Sequence, residues 1–268
     1  MSDAAFADSG DLNPIEIDDA LAGTPFAKGL HHLRTVDSTN TYALQQARNG
    51  APHGSFYVAD EQTAGRGRSD HEWHSQAGQG LYLSVLLRPD LDTADLVWLP
   101  LIAGLAAHRA VREVTALDAD LRWPNDLLIG ERKVGGILVE AVAESGLASA
   151  AVIGIGINLH QRRFPAGLST EPTSLDVETG RTTSRQQLLI ALLRALHNEI
   201  VGLASMASRA AIPLRIEAIS TWVRGRRIEV HGPQPCTGVT AGLDERGFLR
   251  VRTASGLVTV TTGGIRGR

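Results

Sequence analysis

Cysteine is almost missing from this 268-residue chain: Cys236 stands alone, which excludes an intrachain disulfide and any zinc site built from several thiolates. That usage fits a reducing compartment, and cytoplasm is the expected location. No sign of charge dominates either. With 26 Lys and Arg against 29 Asp and Glu the net charge is −3, so no global field draws the chain to nucleic acid or to an anionic membrane. Any basic site must be local. Long apolar runs are lacking: the stretches 81–87 and 99–107 are too short or too interrupted to span a bilayer, which takes about 20 residues, so no membrane partner is expected. Residues 1–10 have neither the basic start nor the apolar core of a secretory signal. There is no repeat, no low-complexity tract and no Gly-x-x-x-x-Gly-Lys-Ser/Thr phosphate loop, so any ATP is bound in another manner. What remains is an ordinary globular composition, 43% hydrophobic and 21% charged, enough for one large domain with room for a small one.

Periodicity and breakers divide the chain. Residues 1–30 read as a short extension with one helical turn around 15–21, too few for a helix-turn-helix domain. Asp37-Ser38-Thr39-Asn40 supplies N-cap side chains to a helix that stops at Gly50. Strands are predicted at 55–59 and 81–87, separated by an aperiodic loop over 65–80. A helix at 96–114 precedes strands at 119–123, 136–142 and 150–158, and helices follow at 186–204 and 214–223. The composition then shifts to short β pieces at 227–230, 236–243, 248–253 and 257–261, punctuated by turn residues. The expected organisation is an extension (1–30), a large α and β domain (31–223) and a small β-barrel (224–268).

Gln62-Thr63-Ala64-Gly65-Arg66-Gly67-Arg68 concentrates chemistry. Glycines let backbone approach an anion, and arginines offer forked donors to phosphate or carboxylate; a solvated basic turn or an RNA-binding Gly-Arg segment is the alternative. Arg122-Trp123-Pro124-Asn125-Asp126 closes a predicted strand, where Asp126 is placed either to hold Mg²⁺ beside phosphates or to cap a local turn. Lys133 precedes Gly135 and Gly136 and an apolar strand, within reach of a carboxylate or phosphate across closely packed backbone. Gly154-Ile155-Gly156-Ile157-Asn158 has only a superficial likeness to a dinucleotide fingerprint, since the third glycine and a following helix are missing. His71, Glu72 and His74 do not follow the order of a helical zinc motif.

Taken together and in order, these five segments resemble the biotin protein ligase family, from about residue 33 to the C-terminus, in its monofunctional type without a DNA-binding domain. The resemblance implies an α+β fold: a mixed β-sheet catalytic domain with helices largely on one side, followed by an SH3-like barrel. It implies ATP and biotin as substrates with Mg²⁺, formation of biotinyl-5′-AMP, and transfer to a lysine of a biotin carboxyl carrier domain of acetyl-CoA carboxylase or a related carboxylase. Ser38, Thr39 and Gln62 would bind the ureido ring, Gly65 and Arg66 would lie along biotin, and Gly136 would admit its tail. Arg68 would meet the phosphate, and Trp73, Asn125 and Asn158 would contact the nucleotide. Lys133, which would also contact biotin, and Arg68 would be catalytic, with Asp126 helping in transfer or at the metal. No DNA partner is implied, and a homodimer is one oligomeric option. The chain departs from the family pattern at Ser69-Asp70-His71, at Arg122 where lysine is common, and at Gly263-Gly264-Ile265. A lipoate ligase is the nearest enzymatic rival; the Gly-Arg-Gly-Arg run and the barrel favour biotin.

Overall fold

The structure, a computed structural model, describes residues 11–68, 71–88, 92–144 and 147–268. Seven strands form the larger sheet: β1 (Leu30–Val36), β2 (Phe56–Gln62), β3 (Gly80–Leu87), β4 (Asp120–Arg122), β5 (Asp126–Ile129), β6 (Arg132–Glu144) and β7 (Leu147–Asn158). Their order is β1-β2-β3-β7-β6-β5-β4, with β1 parallel to β2 and every other neighbour antiparallel. This is the expected mixed sheet.

Strand side chains alternate between faces, and here the two faces do different work. Leu81, Leu83, Val85 and Leu87 of β3, with Ile153, Ile155 and Ile157 of β7, enter the main core under α3 (Trp98–Thr115) and α5 (Arg185–Gly202). The intervening residues look the other way. Leu86 and Val152 pack beneath α2 (Thr39–Arg48), while Ser84, Gly154 and Gly156 lie on the same face without apolar bulk. That second face holds the site described below.

A smaller antiparallel sheet of five strands ends the chain: β8 (Arg224–His231), β9 (Cys236–Leu243), β10 (Leu249–Thr253), β11 (Gly256–Val260) and β12 (Gly264–Gly267), in the order β11-β10-β9-β8-β12. Its inward residues Ile228, Val230, Leu249, Val251, Val260 and Ile265 join the same core. Gly247, between β9 and β10, takes a positive φ of 80°, and a Cβ there would lie 2.4 Å from Leu101 of α3. Its carbonyl accepts a hydrogen bond from Trp123 Nε1 at 3.1 Å. The small sheet is thereby fixed against the strand end that carries Asn125 and Asp126.

Several expectations need correction. Residues 11–30 are part of the main body: Leu12, Ile17, Leu21 and Phe26 are fully buried, each worth about 1.5–3 kcal/mol of burial. The helix there is α1 (Pro14–Ala20), capped by Asn13. Ser38 is the N-cap residue of α2 but its side chain makes no cap hydrogen bond; the residue lines the pocket, and its N–H donates to the Asp37 carboxylate. The 65–80 stretch is partly paired, Arg66 bridging Glu72 within it and Ser75 bridging Gln62 at the end of β2. The last helix, α6 (Met206–Ile219), starts eight residues before the predicted 214, with Pro213 inside it. Burial of Ile212 and Ile216 outweighs the hydrogen bond that proline removes. The helix over 98–115, with the turn before it, is apolar and long enough to cross a membrane, contrary to the expectation from shorter runs, yet it is the central core helix.

Candidate active site

A cavity of about 760 Å³ opens on the polar face of the large sheet, between the N-terminus of α2, the loop after β2, the β7–α4 connection before α4 (Leu175–Thr179) and the β12 end of the small sheet. Its volume suits a nucleotide-sized ligand pair. Glycines make the floor. A Cβ at Gly154 would stand 2.2 Å from Asn40 Oδ1, and one at Gly156 would stand 2.5 Å from Trp73 Nε1. The Gly-x-Gly of β7 therefore lets two side chains lie flat on the sheet, and has no part in a dinucleotide turn.

At one end the groups are neutral and hydrogen-bonded. Gln62 Oε1 accepts from the Thr39 N–H at 2.8 Å and the Thr39 hydroxyl lies 3.0 Å away, while Gln62 Nε2 donates to Ser75 Oγ at 2.8 Å. One Gln62 N–H and the buried Ser38 hydroxyl remain for a ligand among the described residues. Fully buried Ser84 sits 2.8 Å from Thr39 Oγ1 and donates to Asn40 Oδ1 at 2.6 Å; Asn40 Nδ2 then donates to Glu140 Oε2 at 3.0 Å. Glu140 pairs with Arg66 at 3.0 Å. A continuous run of side chains thus connects Gln62 to Arg66.

At the other end the groups are charged. Asp126, at the start of β5, is held by Lys133 Nζ at 2.6 Å and by Arg122 through Nη2 at 2.6 Å and Nε at 3.1 Å. Burial alone would raise its pKa, but the charges and hydrogen bonds of Lys133 and Arg122 prevail and hold it below the usual carboxylate range. Arg68 donates to Asn125 Oδ1 at 3.2 Å and to the Gly263 carbonyl at 3.0 Å, tying the arginine loop to the small sheet. Burial pulls the Arg68 pKa down, opposed by the charge of Asp126. Lys133 Nζ also lies 5.5 Å from the Trp73 ring centre, whose buried indole N–H has no partner among the described residues. Gly136 is open to the Trp73 edge at 3.4 Å.

Both oxygens of Asp126 are occupied by cations, and the described residues contain no cluster of three His, Cys, Asp or Glu able to hold a metal. This donor set does not fit a resident metal ion. Asn125 Nδ2 donates to the Ile137 carbonyl and Asn158 Nδ2 to the Thr173 carbonyl, so each amide is fixed at the pocket wall.

The biotin/lipoate A/B protein ligase family model matches residues 33–158. The bifunctional ligase/repressor BirA of Bacillus subtilis is 32% identical over 256 residues, 92% of this chain and 77% of that protein. The chain belongs to the biotin/lipoate A/B protein ligase family. Among other members, the biotin--[acetyl-CoA-carboxylase] ligase of Mycobacterium tuberculosis is 32% identical, with 85% of each chain covered. The biotin protein ligase from Aquifex aeolicus, solved with biotin and ATP, superposes with a TM-score of 0.78 at 32% identity, over 90% of this chain and 99% of that one.

Within this family member, the structure gathers all of the predicted residues Ser38, Thr39, Gln62, Gly65, Arg66, Arg68, Trp73, Asn125, Asp126, Lys133, Gly136 and Asn158 around one cavity. Arg66 faces Glu140 and is half exposed, away from the Lys133 end. Ser69 and Asp70, where the loop departs from the family pattern, lie outside the described residues. Sequence reasoning missed Asn40, Ser84, Glu140 and Thr170, which accepts from Arg122 Nη2 at 2.8 Å. One signal was present: Ser84 interrupts an otherwise apolar strand at a position whose parity opposes the core. Gly263, the glycine at the head of the divergent Gly263-Gly264-Ile265 segment, gives its carbonyl to Arg68, and its φ of 119°, with a Cβ that would stand 2.3 Å from the His231 carbonyl, suits glycine alone.

Proposed function

We propose that this chain is an ATP-dependent biotin protein ligase acting on a biotin carboxyl carrier domain. The observation that supports it most is the polarity of one cavity: a neutral hydrogen-bonding cradle at Thr39 and Gln62, and three cations about a single carboxylate at the far end. A ureido ring needs the first, since an unmade buried hydrogen bond costs about 1–3 kcal/mol. A carboxylate approaching a triphosphate needs the second, because two anions must meet.

In the first step a biotin carboxylate oxygen bonds to the α-phosphorus of MgATP and the bond to the β-phosphate oxygen breaks, releasing pyrophosphate. Lys133 and Arg68 would offset the charge that accumulates on the phosphoryl oxygens. Mg²⁺ in this reading arrives with the triphosphate. Trp73 would lie against the adenine, Asn125 and Asn158 would fix polar edges of the nucleotide, and Gly65 and Gly136 would let the ligand approach the backbone. Arg66 would leave Glu140 to meet the biotin carboxylate. In the second step the neutral amine of an acceptor lysine attacks the acyl carbon, AMP leaves with the bonding electrons, and the amine proton passes to solvent or to AMP. The depressed pKa of Asp126 favours a role in orienting the incoming amine and Lys133 over accepting a proton. A cytoplasmic setting belongs to the same proposal, supported by the lone cysteine.

The test is pyrophosphate release from MgATP with biotin or with lipoate, with and without a purified biotin carboxyl carrier domain, followed by intact mass of the carrier. Biotin-dependent release and a carrier heavier by one biotinyl group are expected. Release with lipoate alone moves the chain to the lipoate branch of the family, and silence with both refutes ligation.

A further inference from the structure

Charge is distributed unevenly along this chain. Residues 224–268 hold eight arginines and three carboxylates, a balance of +5, whereas the 223 residues before them stand at −8. Some of these arginines have acidic partners: Arg224 pairs with Glu217, Arg226 with Glu131 and Arg250 with Glu245. Arg227, Arg252, Arg266 and Arg268 have no ion-pair partner among the described residues, and all four are exposed.

Strand register puts three of them in one line. Arg227 of β8 and Arg252 of β10 both stand opposite Val239 of β9, and the N–H of Arg268 bonds the Arg227 carbonyl on the other side. Arg252 in turn faces exposed Leu257 of β11. Cross-strand neighbours share a face, so Arg268, Arg227, Val239, Arg252 and Leu257 form a row across the outward side of the small sheet, roughly 19 Å from end to end at strand spacing. Arg266, two residues before Arg268, shares that face and also lines the cavity mouth; Glu229 beside it is the one acid on these strands that points the same way. Arg268 and Arg227 are direct cross-strand neighbours of like charge, which disfavours the isolated sheet, and Arg252 lies one strand beyond Val239. The row presents uncompensated positive charge to a ligand that supplies anions.

We infer that this arginine row docks an acidic flank of the acceptor domain during the transfer step, an assignment that rests on the ligase reading. The geometry fixes the distance. His231, at the cavity mouth, lies four residues along β8 from Arg227, about 13 Å at the strand rise, so a small acceptor whose lysine enters the cavity overhangs the row. A nucleic acid suits the row poorly: the face offers Val239 and Leu257 in place of stacking aromatics, and a polyanion longer than the sheet would run onto a body of charge −8.

The experiment separates the two half-reactions in the intact protein. The variant R227E/R252E, with R227K/R252K as the charge-conserving control, is assayed for biotin-dependent ATP–pyrophosphate exchange without acceptor, and for transfer to a purified biotin carboxyl carrier domain over a range of acceptor and NaCl concentrations. Exchange stays within about twofold of the parent, which also establishes folding, while acceptor KM rises about tenfold or more and loses its salt dependence; the lysine pair restores both. An acceptor KM and salt slope equal to the parent's overturn the inference. So does loss of heparin or DNA retention with acceptor KM unmoved, which would give the face to nucleic acid. Failure of exchange in the parent protein overturns the ligase reading itself, a separate outcome.

Discussion

Replacing Lys133 by alanine tests how the charged end of the cavity is divided between folding and chemistry. In the folded protein Lys133 Nζ bonds Asp126 Oδ1 at 2.6 Å and is 27% exposed, while Arg122 grips Asp126 Oδ2 from the opposite side. Removing the lysine leaves the carboxylate still paired. A charge-assisted hydrogen bond contributes about 1.5–3 kcal/mol, and partial exposure reduces this toward about 1–2 kcal/mol. For a chain of roughly this size that lowers the melting temperature by about 2–8 °C, and the fold survives. The chemical loss should be greater. If Lys133 stabilises the phosphoryl oxygens as they gain charge, its removal costs about 3–4 kcal/mol in the transition state, a 10²–10³-fold decrease in biotin-dependent pyrophosphate exchange at saturating substrate. Exchange and thermal melting on the same preparation give the answer. Parent-level exchange in Lys133→Ala would falsify its catalytic assignment; loss of the folded circular dichroism signal would instead mean that Asp126 depends on it to fold.

Asp126→Asn should be more damaging to stability, because it strands Lys133 and a nearly buried Arg122 together; a drop of about 3–5 kcal/mol is expected by thermal melting, and one under about 1 kcal/mol contradicts the pairing. Gly156→Ala pushes a methyl toward Trp73 Nε1, 2.5 Å away, so the ATP KM should rise about tenfold with a shifted indole fluorescence, and an unchanged KM removes Trp73 from the nucleotide site. Glu140→Gln weakens the hold on Arg66, a partly exposed pair worth about 0–1 kcal/mol, so biotin should bind up to about fivefold tighter by calorimetry; weaker binding would show that Glu140 helps the ligand directly. Asp60, desolvated but bonded by His32 and Arg185, and Asp126 both have pKa values below the usual range. Their stabilisation is complete above the unfolded value of about 3.9 and drains as pH falls toward the folded values, so melting temperature should decline below about pH 4, and in Asp126→Asn that decline should be shallower.

Much of this was legible before folding because glycine, arginine and proline punctuate the site. Gln62 to Arg68, the Pro124 turn and the lysine before Gly135 each announce local chemistry. β9 runs over the predicted residues, and long apolar strands such as β3 read directly from their composition. The failures have physical reasons. β1 contains His31, His32 and Arg34, which break the apolar pattern; it forms because it pairs in parallel with β2 and because His32 Nε2 meets Asp60 at 2.6 Å, a contact 28 residues away. β5 and β12 have only four residues each, too few for periodicity to register. Asn40, Ser84 and Glu140 are single polar residues inside regular elements, and nothing local joins them: Asn40 and Glu140 are 100 residues apart and meet because β3, β7 and β6 lie side by side.

The alternation along β3 and β7 has a consequence for how this enzyme can vary. Odd-numbered positions on these strands answer to the core under α3 and α5, while even-numbered Tyr82, Gly154 and Gly156 answer to the cavity and even-numbered Leu86 and Val152, farther along, to α2. Substrate preference and thermal resistance are therefore written on interleaved letters of the same strands. A saturation library scored separately for biotin transfer and for heat survival should display two combs offset by one residue, so selection can retune the ligand without touching the letters that keep the protein folded. A deletion of one residue in β3 would exchange the two scripts at once.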